Sequence, residues 1–321
     1  MQHKYKRMKK SEKYFGYVMI VLLVTGCSLK EPDPTIAGIY SPGTINTSMS
    51  ERDAALSPDS SAFYFSVQLT RQQSVICYAT KFNGKWMRPM VAPFSGEYTD
   101  IEPVFHPDGR LFFVSNRPTM KDDSIKDFNI WYVQPGDLGW SDPQPLGAAV
   151  NSGGNEFYPS FTANGDLYFT ATLPGGKGAE DLWVSKYENE NYLQPENLGD
   201  SINTSDFEYN GFINREGTFI LFTTHGRGKG YGSADLYVSF RKKDGGWGQP
   251  KNMGEKVNTA GFEFCPSLSP DEKTLFFTRR NIPAPEGKKW GYFEMMSSFN
   301  SLENGQGNIY KIDAAFIQKL K

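Results

Sequence analysis

Five acidic residues recur along this 321-residue chain at intervals of 49 to 56 residues: Glu51, Asp100, Glu156, Glu208 and Glu263. Carboxylates brought to one point can do three kinds of work. Two in unlike environments can act as acid and as base or nucleophile at a glycosidic bond. A ring of them can hold a cation or the hydroxyls of a sugar. Opposed to basic groups, they become structural ion pairs. A second recurring set favours this last use, because Arg71, Arg117, Lys177, Arg227, Arg279 and Arg280 follow the acids by 16 to 21 residues. The acids also hold equivalent places in a repeat, so Glu156 and Glu208 are expected to behave alike. Catalysis needs the opposite, carboxyl groups whose surroundings push their pKa values apart.

Each acid opens the same local pattern. An apolar run follows, at Ala54–Leu56, Pro103–Phe105, Pro159–Phe161, Gly211–Ile213 and Pro266–Leu268. A turn comes next, carrying Asp59, Asp108-Gly109, Asn164-Gly165, Glu216-Gly217 or Asp271, residue types that tolerate tight hairpins. A second strand then ends in Ser or Thr: Phe63–Ser66, Phe112–Ser115, Leu167–Thr170, Ile220–Thr223 and Leu275–Thr278. A third is written Ile76-Cys77-Tyr78, Asn129-Ile130-Trp131, Asp181-Leu182-Trp183, Asp235-Leu236-Tyr237 and Asn308-Ile309-Tyr310. The fourth segment carries Trp86, Trp140, Tyr192 or Trp247, a nearby Pro that suits an edge strand, and then Val150-Asn151, Ile202-Asn203 or Val257-Asn258. Four short strands per repeat, with no helical periodicity, predict an all-β, five-bladed β-propeller of four-stranded antiparallel blades, five rather than six.

The fifth repeat lacks its fourth segment. Gly43-Thr44-Ile45-Asn46-Thr47 supplies the missing signature ahead of the first repeat, so an N-terminal strand is expected to close the last blade and leave no open edge.

These motifs resemble the WD40-like, TolB-type propeller repeat, and in wording the propeller lipoproteins of the Bacteroidetes cell envelope. The resemblance runs from about Thr44 to Ile312 and rests on Pro-Ser-x-x-x-x-Asp-Gly-x-Leu-x-Phe-x-Ser, Asp-Leu/Ile-Tyr and Leu-Gly-x-x-Ile/Val-Asn-Thr. It implies a rigid interaction platform in the envelope. Five-bladed propellers also include glycosidases, so the acids keep a second reading as a glycan site.

Residues 1–26 read as a lipoprotein signal peptide, with six Lys or Arg ahead of the apolar Tyr17–Val24 and a Val24-Thr25-Gly26-Cys27 lipobox. Cys27 would carry the lipid, residues 27–43 would be a tether, and 44–321 the propeller. Removal of the segment takes Lys+Arg from 34 to 28 and Asp+Glu from 36 to 35, leaving a net charge of about −7 that gives phosphate-driven nucleic-acid binding no support.

Of three histidines, His3 falls in the signal segment, and His106 and His225 are too few for a triad or a zinc site, so neither a catalytic residue nor a metal or cofactor site is assigned. His106 stands where other repeats have Ser57, Thr162, Asn214 or Ser269, a turn position, and His225 is placed in a surface loop. Cys77 and Cys265 read as small buried apolar groups. The stretch from about Asn281 to Gly307 is unmatched in the other repeats, and Trp290, Tyr292 and Phe293 make it a candidate contact loop.

The reading reached is a non-enzymatic, outer-membrane-anchored lipoprotein, periplasmic or surface-exposed, whose propeller binds an envelope protein or peptidoglycan-associated partner. The alternative is a surface propeller that binds or cleaves a glycan.

Overall fold

The computed structural model describes residues 33–70, 72–120, 127–137, 139–225, 227–281, 287 and 289–321. Cys27, Arg71 and the apolar segment 17–24 lie outside them.

Five four-stranded antiparallel blades form a closed ring. From the axis outward, blade 1 comprises Ser50–Leu56, Ala62–Thr70, Gln73–Phe82 and Met90–Val91, with a short Lys85–Trp86 pairing on its third strand. Blades 2, 3 and 4 begin at Asp100–Phe105, Glu156–Phe161 and Glu208–Ile213 and repeat the order. In blade 5, Phe262–Leu268, Thr274–Arg280 and Gly307–Asp313 are completed by Gly38–Ile39 from the N-terminal end.

The ring therefore closes through the N-terminal segment, with one change of register. The pairing strand is Gly38–Ile39, and Ile45-Asn46-Thr47 follows it. The same order holds elsewhere: Glu196–Asn197 pairs in blade 3 and Ile202-Asn203 comes after. The Asn of the signature is a clamp rather than a strand residue. Asn151, Asn203 and Asn258 each accept from and donate to the backbone of one third-strand residue, Ile130, Leu182 and Leu236, at 2.9–3.0 Å. Asn46 does so with Ile309, accepting at 2.7 Å and donating at 3.0 Å. A buried amide with one donor and one acceptor side satisfies the N–H that the short outer strand does not reach and adds a second donor to the carbonyl, which also accepts from Leu146, Leu198, Met253 or Tyr40 N at 2.9–3.2 Å.

The hairpin turns use the expected chemistry. Ser57 donates to Asp59 at 2.6 Å, Ser269 to Asp271 at 2.7 Å, and Asn214 accepts from Phe219 N at 2.9 Å. His106 fills this place in blade 2, its Nδ1 lying 2.7 Å from Asp108, and burial holds its pKa below the usual value. Between blades, aromatic and aliphatic faces interlock; Ile45, Phe63, Phe65, Phe276 and Ile309 make one such layer across the closure.

Two helices stand outside the sequence reading. Ala314–Leu320 is a 3-10 segment that buries Ala314 and Ile317, and α1, Tyr292–Phe299, lies within the long loop of blade 5. Among the described residues no helix is long and apolar enough to cross a membrane.

Candidate functional site

The five recurring acids all lie at the start of the innermost strands, and each is 0% exposed. Their first partner comes from the segment four or five residues earlier. Ser95 donates to Asp100 at 2.7 Å, Thr204 to Glu208 at 2.7 Å and Thr259 to Glu263 at 2.6 Å, while Thr47 and Ser152 serve Glu51 and Glu156. The Ile/Val-Asn-Ser/Thr signature is thus a staple. Its Asn clamps one blade, and its hydroxyl holds the acid of the next.

The basic set only partly answers the acids. Arg117 reaches Asp100 at 2.8 Å, Arg279 reaches Glu263 at 2.9 Å and Arg227 reaches Glu208 at 3.4 Å. Lys177 pairs with the exposed Asp200 instead, and Arg280 donates to Gln68 at 2.8 Å and lies over the Phe264 ring. Glu156, whose Lys177 pairs elsewhere, keeps one buried carboxylate oxygen, Oε2, without a hydrogen-bond partner, and so does Glu51. Burial raises Glu51 and Glu263 above the ordinary glutamate value, and pushes Glu156 up to about 7. The equivalence expected of Glu156 and Glu208 does not hold, because only Glu208 has an arginine.

The residue two places after each acid was not singled out by the sequence. Asp53, Glu102, Tyr158, Asn210 and Cys265 all have positive φ, between 51° and 62°, each inside a β-bulge at the same point of its inner strand. A left-handed non-glycine residue costs of order 1–3 kcal/mol, so five in one ring mark a place where the fold imposes its geometry. The bulge turns these side chains toward the axis. Arg52 binds Asp53 at 2.8 Å and Glu102 at 3.0 Å and donates to the Cys265 sulfur at 3.3 Å. Tyr158 N donates to Glu102 at 2.6 Å, and Tyr158 OH to the Pro266 carbonyl at 2.9 Å. This cluster plugs the channel. Above it, on the face of the hairpin turns, lies a cavity of about 120 Å³ walled mainly by apolar residues such as Leu56, Phe105, Phe161, Ile213 and Leu268, with Asp53 and Glu102 at its floor. Burial pushes Glu102 up to about 8 against the opposing pull of Arg52.

His225 joins Tyr209 OH at 2.9 Å and Ser233 O at 2.7 Å in an aromatic group with Phe207 and Phe262. Cys77 and Cys265 are buried and unpaired. Among the described residues no group of three or more His, Cys, Asp or Glu is placed to hold a metal.

In the contact loop, α1 buries no residue: Tyr292 is 67%, Phe293 88% and Phe299 66% exposed, with Met295, Met296 and Trp290 also at the surface.

No protein-family model matches the chain, and no curated protein matches it in sequence. Its likeness is to solved structures. An arabinanase of Bacillus subtilis superposes with a TM-score of 0.51 at 10% identity, covering 84% of this chain and 96% of that one. A GH43 endo-arabinanase of Bacillus licheniformis gives 0.50 at 9% identity, with the same coverage. TolB of Acinetobacter baumannii gives 0.47 at 12% identity; it covers 82% of this chain, which spans 54% of TolB's length. At these identities the likeness shows the fold alone.

Proposed function

We propose that this protein is a non-enzymatic propeller platform of the cell envelope that binds a protein partner through the acid-bearing face of the ring. One observation carries the reading: the carboxylates that could react are engaged within the fold. The recurring acids are held by neighbouring hydroxyls and, in three blades, by arginines, and the axial pair Asp53 and Glu102 is held by Arg52 and by backbone amides.

The contact surface is α1. Leaving a phenylalanine in water forgoes roughly 1.5–3 kcal/mol of burial, and α1 leaves two there. Its position indicates what covers it. The described chain begins on the turn face, where Pro34 O accepts from Asp313 N at 2.7 Å beside Ala314 and Lys273. The loop carrying α1 leaves from the opposite ends of the strands, with Asn304 donating to Ser48 O at 2.9 Å. Cys27 precedes Asp33 by six residues, a reach of about 20 Å. A lipid there would hold the turn face toward the membrane, so α1 would point away from it. The occupant is then a protein that offers an apolar groove to a short helix.

A photo-crosslinker at position 293 in cells tests this. The expected result is one discrete protein adduct, absent when the crosslinker is moved to position 59 on the turn face. Equal labelling from both positions would remove the proposal.

A second reading, a glycan-cleaving funnel, is favoured by the raised carboxyl of Glu102 beside Asp53 at the cavity floor. Sugar release from a glycan panel that vanishes in Glu102→Gln would establish it in place of the platform.

A further inference from the structure

The repeats can be compared with one another, and blade 1 departs from the rest at one place. In blade 5, Glu263 pairs across the ladder with Arg279, and Phe277 with Tyr310. Arg279 binds Glu263 at 2.9 Å, donates to the Val257 carbonyl at 2.7 Å and lies over the Tyr310 ring at 4.4 Å. The same register in blade 1 pairs Glu51 with Val67 and Phe65 with Cys77. So Val67 stands where blade 5 has its arginine, a place held by Ser115, Ala171 and Thr224 in the other blades, and Cys77 stands where the ring would be. The matching positions of the other blades are Trp131, Trp183 and Tyr237.

Beside these two small side chains a cavity of about 510 Å³ opens at the closure between blades 5 and 1. Glu51, Val67 and Cys77 line it. So does Ile45, at the position of Val257, whose carbonyl takes the arginine in blade 5. Glu51 is 0% exposed and its Oε2 has no hydrogen-bond partner; Asn308 of blade 5, whose Nδ2 is also without one, lies beside it and offsets part of the rise that burial causes in the Glu51 carboxyl. The rim is exposed at Met49, Met90 and Val91 and also carries the exposed Arg88, the one cation lining the cavity. A buried carboxylate oxygen lacking its donor costs about 1–3 kcal/mol or more, and an incoming charged donor recovers that.

We propose that this cavity binds a guanidinium or amidinium group on a flat apolar body, which takes the place that Arg279 and Tyr310 occupy in blade 5. The group can come from a small molecule or from an arginine side chain of a partner protein. The site is separate from α1 and does not depend on the platform reading.

Titration calorimetry on the full chain in detergent tests it with benzamidine, its neutral isostere benzamide, and a short peptide carrying one arginine. Benzamidine is expected to bind one per chain and at least tenfold more tightly than benzamide. Glu51→Gln should weaken it at least tenfold without altering the cavity's size. Val67→Arg, which supplies the group from within, should abolish binding, and Cys77→Tyr, which fills the ring position, should do the same if the arginine variant does not fold. A peptide tighter than benzamidine identifies a partner's arginine as the source, and the reverse order identifies a small molecule. Equal affinity for benzamidine and benzamide, no binding of either cation, or binding that survives Val67→Arg or Cys77→Tyr overturns the proposal.

Discussion

Asn46 and Ile309, 263 residues apart in sequence, exchange two hydrogen bonds across the closure of the ring, and Asn46 donates a further one to the Tyr40 carbonyl. Three other blades have the same clamp, but there both partners come from one stretch of chain, 21 or 22 residues apart. Only at the closure does it join the ends of the domain.

Asn46→Ala should therefore cost more than its counterpart Asn203→Ala. Each change strands one buried N–H, about 1–3 kcal/mol, while the matching carbonyl keeps its backbone donor, Tyr40 N or Leu198 N. At the closure the loss also frees the N-terminal strand from blade 5 and lets the ring open. Thermal midpoints of the two variants check this, and an Asn203→Ala midpoint as low as that of Asn46→Ala would show that closure adds nothing.

The raised carboxyls set a pH dependence with a definite sign. Folding lifts Glu102 to about 8 and Glu156 to about 7 from 4.5, so between these values the folded chain holds protons that the unfolded chain has released. Their contribution is complete below about 4.5 and is lost as pH rises through 7 and 8. Urea midpoints at pH 5, 6.5 and 8 should fall in that order. Glu156→Gln should flatten the trend, whereas Glu208→Gln should lower stability throughout, because it leaves Arg227 without its carboxylate.

Much of this was legible in the sequence because it recurs. Turn residues, β-rich runs and the Asn-Ser/Thr signature come back at near-constant spacing, and together they define five blades and the N-terminal closure. The axial ring was not legible, since Asp53, Glu102, Tyr158, Asn210 and Cys265 share no chemical property and are united only by a bulge and a positive φ. The place two residues after each acid was the available signal. Cys77 was misplaced by one residue: its sequence neighbour Tyr78 matches the aromatic pattern, but the ladder sets Cys77 opposite Phe65. A one-residue slip in a strand exchanges the two faces, which is why the cavity in blade 1 could not be read beforehand. α1 carries an apolar stripe, Tyr292, Met295, Met296 and Phe299 against Glu294, Ser297 and Ser298, but eight residues are too short a run for a periodicity argument to find.

Because α1 buries nothing, Phe293→Ser with Phe299→Ser should leave the thermal midpoint within the range of neutral surface changes, about 0.5 kcal/mol, and should remove the partner adduct. A large drop in midpoint would mean that these rings support the fold, contrary to their exposure.

Among the described residues Arg52 is the one cation touching both axial carboxylates, and its removal tests whether the plug is structural. Arg52→Met keeps the length of the side chain and deletes the charge, leaving Asp53 and Glu102 buried without it. Breaking a buried pair in this way costs about 3–5 kcal/mol. The loss should be smaller at pH 5 than at pH 8, since Glu102, raised to about 8, already holds its proton at pH 5 and leaves no second uncompensated charge there. Adding Glu102→Gln should recover part of the stability at pH 8, because the second variant removes the charge that the first exposed. Equal destabilisation at both pH values, with no recovery in the double variant, would show that the arginine acts through its packing against the Phe264 ring, 5.2 Å from the guanidinium carbon, rather than through the carboxylates.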